Sequence, residues 1–425
     1  MTTRPARVWA EVTGGNALGR GQQPALSWWL PEGCSVQHAY QVRTDDGYDT
    51  GRVEGAIQSF VRLPVFDRSR RSALAQVKVW TDLGESAWSD PVRLESGLLG
   101  EQDWHARWIG VEEAERPEQG SRPAYWLRTL IDVPPAAEAR LYLTALGLYE
   151  AFLDGSRVGD AVHDLSFDDR TWREAVARDV DVTIVRSVAP PVRRVQEIRP
   201  AAVRPVRGPG DGTDAFVADF GQNFSGWVRL ERPAGGRVTL THGEWLDRDG
   251  DLTTRHLDVD LPIFPERLPL GQVDEVVPAG NGDVFEPRFT THGFRYVRIQ
   301  GQPGPFGPND ITGVVVHSDL RRLGWFSCSD DRVSRLHEAV VWSLRSNMCD
   351  IPTDCPQRER AGWTGDWQIF APTAAYLYDV LAFTRKWLGD VALDQRADGC
   401  VANISPCPPA EAPGPGRGPA RARGV

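Results

Sequence analysis

Hydrophobic and polar positions change period once along this chain of 425 residues. Up to about residue 318 they alternate in short runs broken by Gly, Pro and Asp, the pattern of half-buried strands. PALSWWLP, HAYQVRTDD, ALAQVKVW and DPVRLES make the first group, and residues 1–100 predict one small sandwich of fibronectin or immunoglobulin type. From Ala124, AYWLRTLIDV, ARLYLTAL and YEAFLDGSRVGD predict a second β region, with Asp154-Gly155 as a hairpin turn. The alternation fades after Val162, where APPVRRVQEIRPAAVRP offers few clear strands and RGPGDGTD reads as a linker. A third region follows, from AFVADFGQ and GWVRLERP to ITGVVVHSDL, with Arg237 to His242 and Phe294 to Gln300 alternating most cleanly.

Beyond residue 318 the period becomes helical. Val333, Leu336, Val340, Leu344 and Met348 recur every three or four residues and predict one apolar stripe. Ser329 is the expected N-cap, with Asp330 and Asp331 in the first turn, where the helix dipole favours negative charge. Pro352 and Pro356 force the chain out of that helix. A second helix is expected to about Leu388, with Phe370, Leu377, Leu381 and Leu388 on one face and Gly389 as its stop.

Composition narrows the function classes. A net charge of −10 offers no basic face to a nucleic-acid backbone, and no apolar run is long enough to span a bilayer. The opening MTTRPARVWAEVTGG lacks a signal-peptide core, and the six cysteines are sparse for this length, so a cytoplasmic protein without structural disulfides is expected. Cys349/Cys355 and Cys400/Cys407 are spaced too widely for zinc knuckles, and no metal or other cofactor is expected. His292 and His317 lie in or beside strands and read as hydrogen-bonded structural residues.

The densest chemistry lies between the two helices, in TDCPQRERAGWTGDWQ, residues 353–368. Asp354, Glu359 and Asp366 are carboxylates on a loop and a helix entry, suited to acid/base work, and Trp363 and Trp367 suit packing against a sugar face. The ordinary alternative is that Asp354 and Asp366 cap turns and that Glu359 pairs with Arg358 or Arg360.

DCPQRERAGWTGDWQIFAPTAA resembles the signature of bacterial α-L-rhamnosidases of glycoside hydrolase family 78, at the start of their (α/α)6 catalytic barrel. VADFGQNFSGWVRL, FEPRFTTHGFRYVRI, YEAFLDGSRVGD and DGCVANISPCPPAEAPGPG extend the resemblance over most of residues 1–416. It implies a multidomain, mainly β chain: N-terminal β-sandwich modules, then the beginning of an (α/α)6 barrel. Residues 1–100 would be the immunoglobulin-like sandwich, 101–204 a shortened carbohydrate-binding-type sandwich, 205–318 a further β-sandwich, 319–416 an incomplete catalytic domain and 417–425 a low-complexity tail. The implied activity is inverting hydrolysis of terminal α-L-rhamnose from glycosides or polysaccharides. Glu359 would be the general acid, and Asp354, Arg358, Trp363 and Asp366 would line the rhamnose subsite.

Two features depart from that pattern. Twelve barrel helices of about 11–12 residues, with loops, need at least roughly 200 residues, about twice the stretch from Arg321 onward. The general base, a later Glu in the family, has no counterpart after Gly416, so this chain is expected to be an inactive fragment. The tail reads either as out-of-frame GC-rich codons from about Gly416 or as a disordered end. A non-catalytic carbohydrate-binding protein built from the β modules is the alternative function.

Overall fold

In the computed structural model, the described residues are 4–10, 23–112, 125–130, 141–145, 151–153, 156–157, 175–180, 182–186, 189–208, 215–234, 236–257, 271–278, 282–407 and 420–424. The chain divides into two compact units, residues 1–187 with 417–425, and residues 188–416.

The first unit opens with the expected sandwich. Strands Arg7–Ala10, Ala25–Trp29 and Val61–Arg62 form one antiparallel sheet, and Gln37–Thr44 and Ser72–Thr81 centre the other. Their inward residues Leu26, Trp28, Val42, Val77 and Val79 make the core, where the Trp28 indole donates to the buried Gln37 Oε1 at 2.8 Å. The hairpin predicted at Asp154-Gly155 is present as Phe152–Leu153 paired with Ser156–Arg157, the turn itself lying outside the described residues. The tail was expected to offer no packable pattern. Its residues Ala420–Gly424 instead pair in parallel with Val182–Arg186, where ARARG meets a β-branched run.

The second unit carries an antiparallel sheet of eight strands. These are β1 (Val192–Ile198), β2 (Ala202–Val206), β3 (Ala215–Glu231), β4 (Val238–Gly243), β5 (Val273–Val276), β6 (Val284–Phe285), β7 (His292–Gln300) and β8 (Ile311–Ser318). Their order is β1-β8-β3-β7-β4-β5, with β2 and β6 also paired to β3. Two strands thus come from the stretch expected to supply few clear ones, and they belong to the compact unit 188–416. VRRVQEI hid its strand because its charged residues lie at the sheet edge: Arg194 bonds Glu286 at 2.9 Å, and Glu197 takes Arg229 at 2.7 Å. AFVADFGQ and GWVRLERP, expected as separate strands, form one strand that shifts register between Asp219 and Phe224, around Gly221 at φ +72°. Phe220, Phe224, Val228, Leu240, Phe294 and Ile299 fill the core beneath it.

Three helices follow: α1 (Asp331–Ser346), α2 (Thr364–Leu377) and α3 (Leu381–Asp394). Asp330, not Ser329, caps α1, its carboxylate accepting from the Arg332 amide at 2.9 Å. Only the C-terminal half of the expected stripe is covered: Leu344 and Met348 are buried and Val340 is half-buried, whereas Val333 and Leu336 are exposed. Trp342 on the next face packs against the sheet core, and Arg345 donates to His317 and to Gln196.

The single helix expected to run to about Leu388 is two helices, and Gly389 lies inside α3. Tertiary pairing breaks it: Tyr378 is extended and bridges Arg322, while Leu323 donates to Leu377 O and Asp379 to Arg321 O. Trp367, Leu377, Phe383 and Trp387 bury a second core between the helices, each large side chain contributing about 1.5–3 kcal/mol. Among the described residues no helix is long and apolar enough to cross a membrane.

Candidate active site

The stretch 353–368 forms a closed loop and the first turns of α2. Asp354 closes the loop from both sides: its amide donates to Ala361 O at 3.0 Å and its carboxylate accepts from the Ala361 amide at 2.9 Å. The loop can turn back there because Arg360 adopts φ +52° and Gly362 packs against the chain at residue 405. A Cβ on Gly362 would stand 2.2 Å from Ser405 O. Residues 402–405 wall the far side, with Thr364 donating to Asn403 O and Ser405 to Gly362 O.

This closure brings four of the five expected site residues together. Arg358 Nε donates to Glu359 Oε2 at 2.9 Å. Hydrogen bonding to Asp354, with Arg358 and the Trp363 indole adding to it, lowers the Glu359 pKa. Burial, and next its contact with Glu359, raises that of Asp354. Two carboxyls in contact cannot both ionise cheaply, so the pair keeps one proton to a higher pH than separate groups would. Burial thus favours the protonated form of Asp354, the half-buried member, while its hydrogen bonds favour the ionised form of Glu359, the exposed one.

The fifth residue, Asp366, is exposed in the first turn of α2, where it complements the helix dipole. Among the described residues it makes no hydrogen bond or ion pair with the other four. Trp367, expected at a sugar face, is buried against Phe383 in the helical core instead.

The β sheet contributes a residue that no local motif announced. Glu244, just past β4, accepts the Gln357 side-chain amide at 2.8 Å and a second hydrogen bond from Asn223. Beside it, Pro356 and Gln357 lie so close over β7 that a Cβ on Gly293 would meet Pro356 Cγ at 2.6 Å. Gln357 stood inside the quoted stretch, but its partner lies 113 residues upstream, and only the sheet register brings them together.

Comparison with known proteins gives three family matches along the chain. Residues 12–100 match the Rha78A-like, N-terminal immunoglobulin domain, residues 211–317 the bacterial alpha-L-rhamnosidase concanavalin-like domain, and residues 321–418 the bacterial alpha-L-rhamnosidase 6 hairpin glycosidase domain. An alpha-L-rhamnosidase of Streptomyces avermitilis is 39% identical over 246 residues, covering 56% of this chain and 22% of that protein. One of Formosa agariphila is 26% identical over 521 residues, covering 90% of this chain and 54% of that one. The chain therefore spans about half, or less, of the curated relatives it matches. In fold, it superposes on the Streptomyces avermitilis alpha-L-rhamnosidase complexed with L-rhamnose with TM-score 0.77 at 22% identity, covering 96% of this chain and 67% of that one.

Proposed function

We propose that this chain, which belongs to the bacterial α-L-rhamnosidases, carries the proton-donor half of an inverting glycosidase site for terminal α-L-rhamnose on glycosides or polysaccharides. The Asp354–Glu359 pair carries this reading. Glu359 is the exposed member that a glycosidic oxygen can reach, and Asp354 is the reservoir of the proton. A sugar seated on the loop would exclude water from Glu359 and raise its pKa. The shared proton would then pass from Asp354 to Glu359 and on to the leaving oxygen. Arg358 and Trp363 beside the pair would bind the rhamnose ring and its hydroxyls, with Asp366 reaching it from the entry of α2.

Inversion needs a water and a second carboxylate on the opposite face, roughly 6.5–9.5 Å from the acid. We assign that base to barrel helices other than α1–α3. Leu336, Ile369 and Leu388 support the assignment: they leave 63%, 82% and 53% of their surface open on the three helices, faces that further hairpins of a barrel would cover. Six cysteines in 425 residues, sparse for this length, support a reducing, cytoplasmic setting.

The test has two parts. The 425-residue chain should release no nitrophenol from p-nitrophenyl α-L-rhamnoside, and release abolished by Glu359→Gln would refute the division of the site. It should still bind L-rhamnose in a calorimetric titration, weakened about tenfold, the equivalent of ~1.4 kcal/mol, by Trp363→Ala. Equal binding by that variant would refute the sugar reading.

A further inference from the structure

Away from the loop, three strands bring together residues that no sequence spacing connects. His242 lies near the end of β4, Asp274 in the edge strand β5 and His292 at the start of β7. Both histidines are buried, and their rings stack with centroids 4.1 Å apart and planes 25° from parallel. His292 Nε2 stands 3.0 Å from each oxygen of Asp274, and His242 Nε2 stands 3.9 Å from Oδ2. One donor atom from each residue falls within 4.8 Å of the others.

Hydrogen bonding leaves this cluster incomplete. Gln272 O can only accept, so His242 Nδ1 carries a hydrogen and donates to it at 3.1 Å. Its Nε2, the acceptor nitrogen of that tautomer, faces the Asp274 carboxylate from 3.9 Å, and among the described residues neither it nor His292 Nδ1 has a hydrogen-bond partner. A buried acceptor aimed at an anion is unfavourable unless something positive lies between. The separations of 3.0 and 3.9 Å to Asp274 bracket the about 3.3 Å between ligands on tetrahedral zinc.

We propose that His242 Nε2, His292 Nε2 and the Asp274 carboxylate form a binding site for a divalent first-row transition metal, zinc foremost, that clips β4, β5 and β7 together. Two imidazole nitrogens with one carboxylate oxygen suit a borderline ion and are too nitrogen-rich for calcium or magnesium. The Asp274 side chain keeps 10% of its surface open at the sheet edge, the side from which the ion enters and water completes its coordination. On binding, His292 shifts its proton from Nε2 to Nδ1, so that the Nε2 lone pair takes the metal and the ring stays a neutral imidazole. The site lies within the sheet and does not depend on the rhamnosidase reading.

The 425-residue chain, stripped with a chelator, is titrated with Zn2+ by calorimetry and with Co2+ by visible absorption. One equivalent of zinc should bind, and His242→Gln and Asp274→Asn should each weaken it at least about 100-fold. The cobalt spectrum of the unsubstituted chain should show nitrogen and oxygen ligation. Uptake well below one equivalent would overturn the proposal, as would variants that bind zinc unchanged. A thiolate charge-transfer band would also overturn it, since it would put the ion on Cys355, beside Asp354 and Glu359.

Discussion

Gln357 donates its side-chain amide to Glu244 at 2.8 Å, and through this bond the loop bearing Glu359 hangs from the β sheet. Glu244→Ala removes a hydrogen bond to a charged acceptor, a loss of about 1.5–3 kcal/mol in local stability. Hydrogen exchange at the Asp354 and Ala361 amides, which close the loop, should accelerate accordingly. Unchanged exchange would mean that the loop is held by its own closure alone.

Gly293 tests the same junction from below. Its substitution by Ala places a methyl 2.6 Å from Pro356 Cγ and 3.2 Å from Gln357 Cβ. Because Pro356 is rigid, the loop must lift, and the expected cost is about 1–3 kcal/mol in the unfolding of this unit. Gly293→Ala melting together with the parent chain would show that the loop gives way freely.

The two carboxyls should shift in opposite directions: a 13C carboxyl titration should find Asp354 above its ordinary 3.8 and Glu359 below its ordinary 4.5. The linkage signs differ. Asp354 contributes fully below 3.8 and loses that contribution as pH rises through its folded value. Glu359 contributes above 4.5 and loses its contribution as pH falls through its folded value. Arg358→Gln should raise the Glu359 pKa and narrow the gap. An unmoved Glu359 would remove Arg358 from the pair's electrostatics.

Lys386 and Asp390 form a buried ion pair in α3, at 3.1 Å, with 5% and 2% of their side chains exposed, and Lys386 also reaches Asp350 at 2.6 Å. Lys386→Met removes the cation that the buried Asp390 carboxylate faces in the helical core, which should cost about 3–5 kcal/mol in a thermal or urea melt. Adding Asp390→Leu should recover most of the loss. A single variant as stable as the parent would show that Asp390 is neutral in the fold.

Local features were legible from the sequence. The change from two-residue to helical period near residue 318 separates β8 from α1 correctly, because each period follows from one element burying one face. Asp354, Arg358, Glu359 and Trp363 were legible as a group, since a loop tied at Asp354 and Ala361 keeps near residues near. The break between α2 and α3 was not, because it comes from Tyr378 pairing with Arg322, a partner from before α1. Leu336 followed the helical stripe, yet none of the described residues covers it.

By itself, then, the amino-acid order determined the strand and helix content, the immunoglobulin-like module and the carboxyl-bearing loop, all properties of short-range periodicity and turn chemistry. Tertiary structure alone decided that Glu244 holds Gln357 and that His242, Asp274 and His292 meet. Those contacts depend on the strand order β7-β4-β5 and its register. Register is set by the burial of a whole sheet face, so no single stretch of sequence contains it.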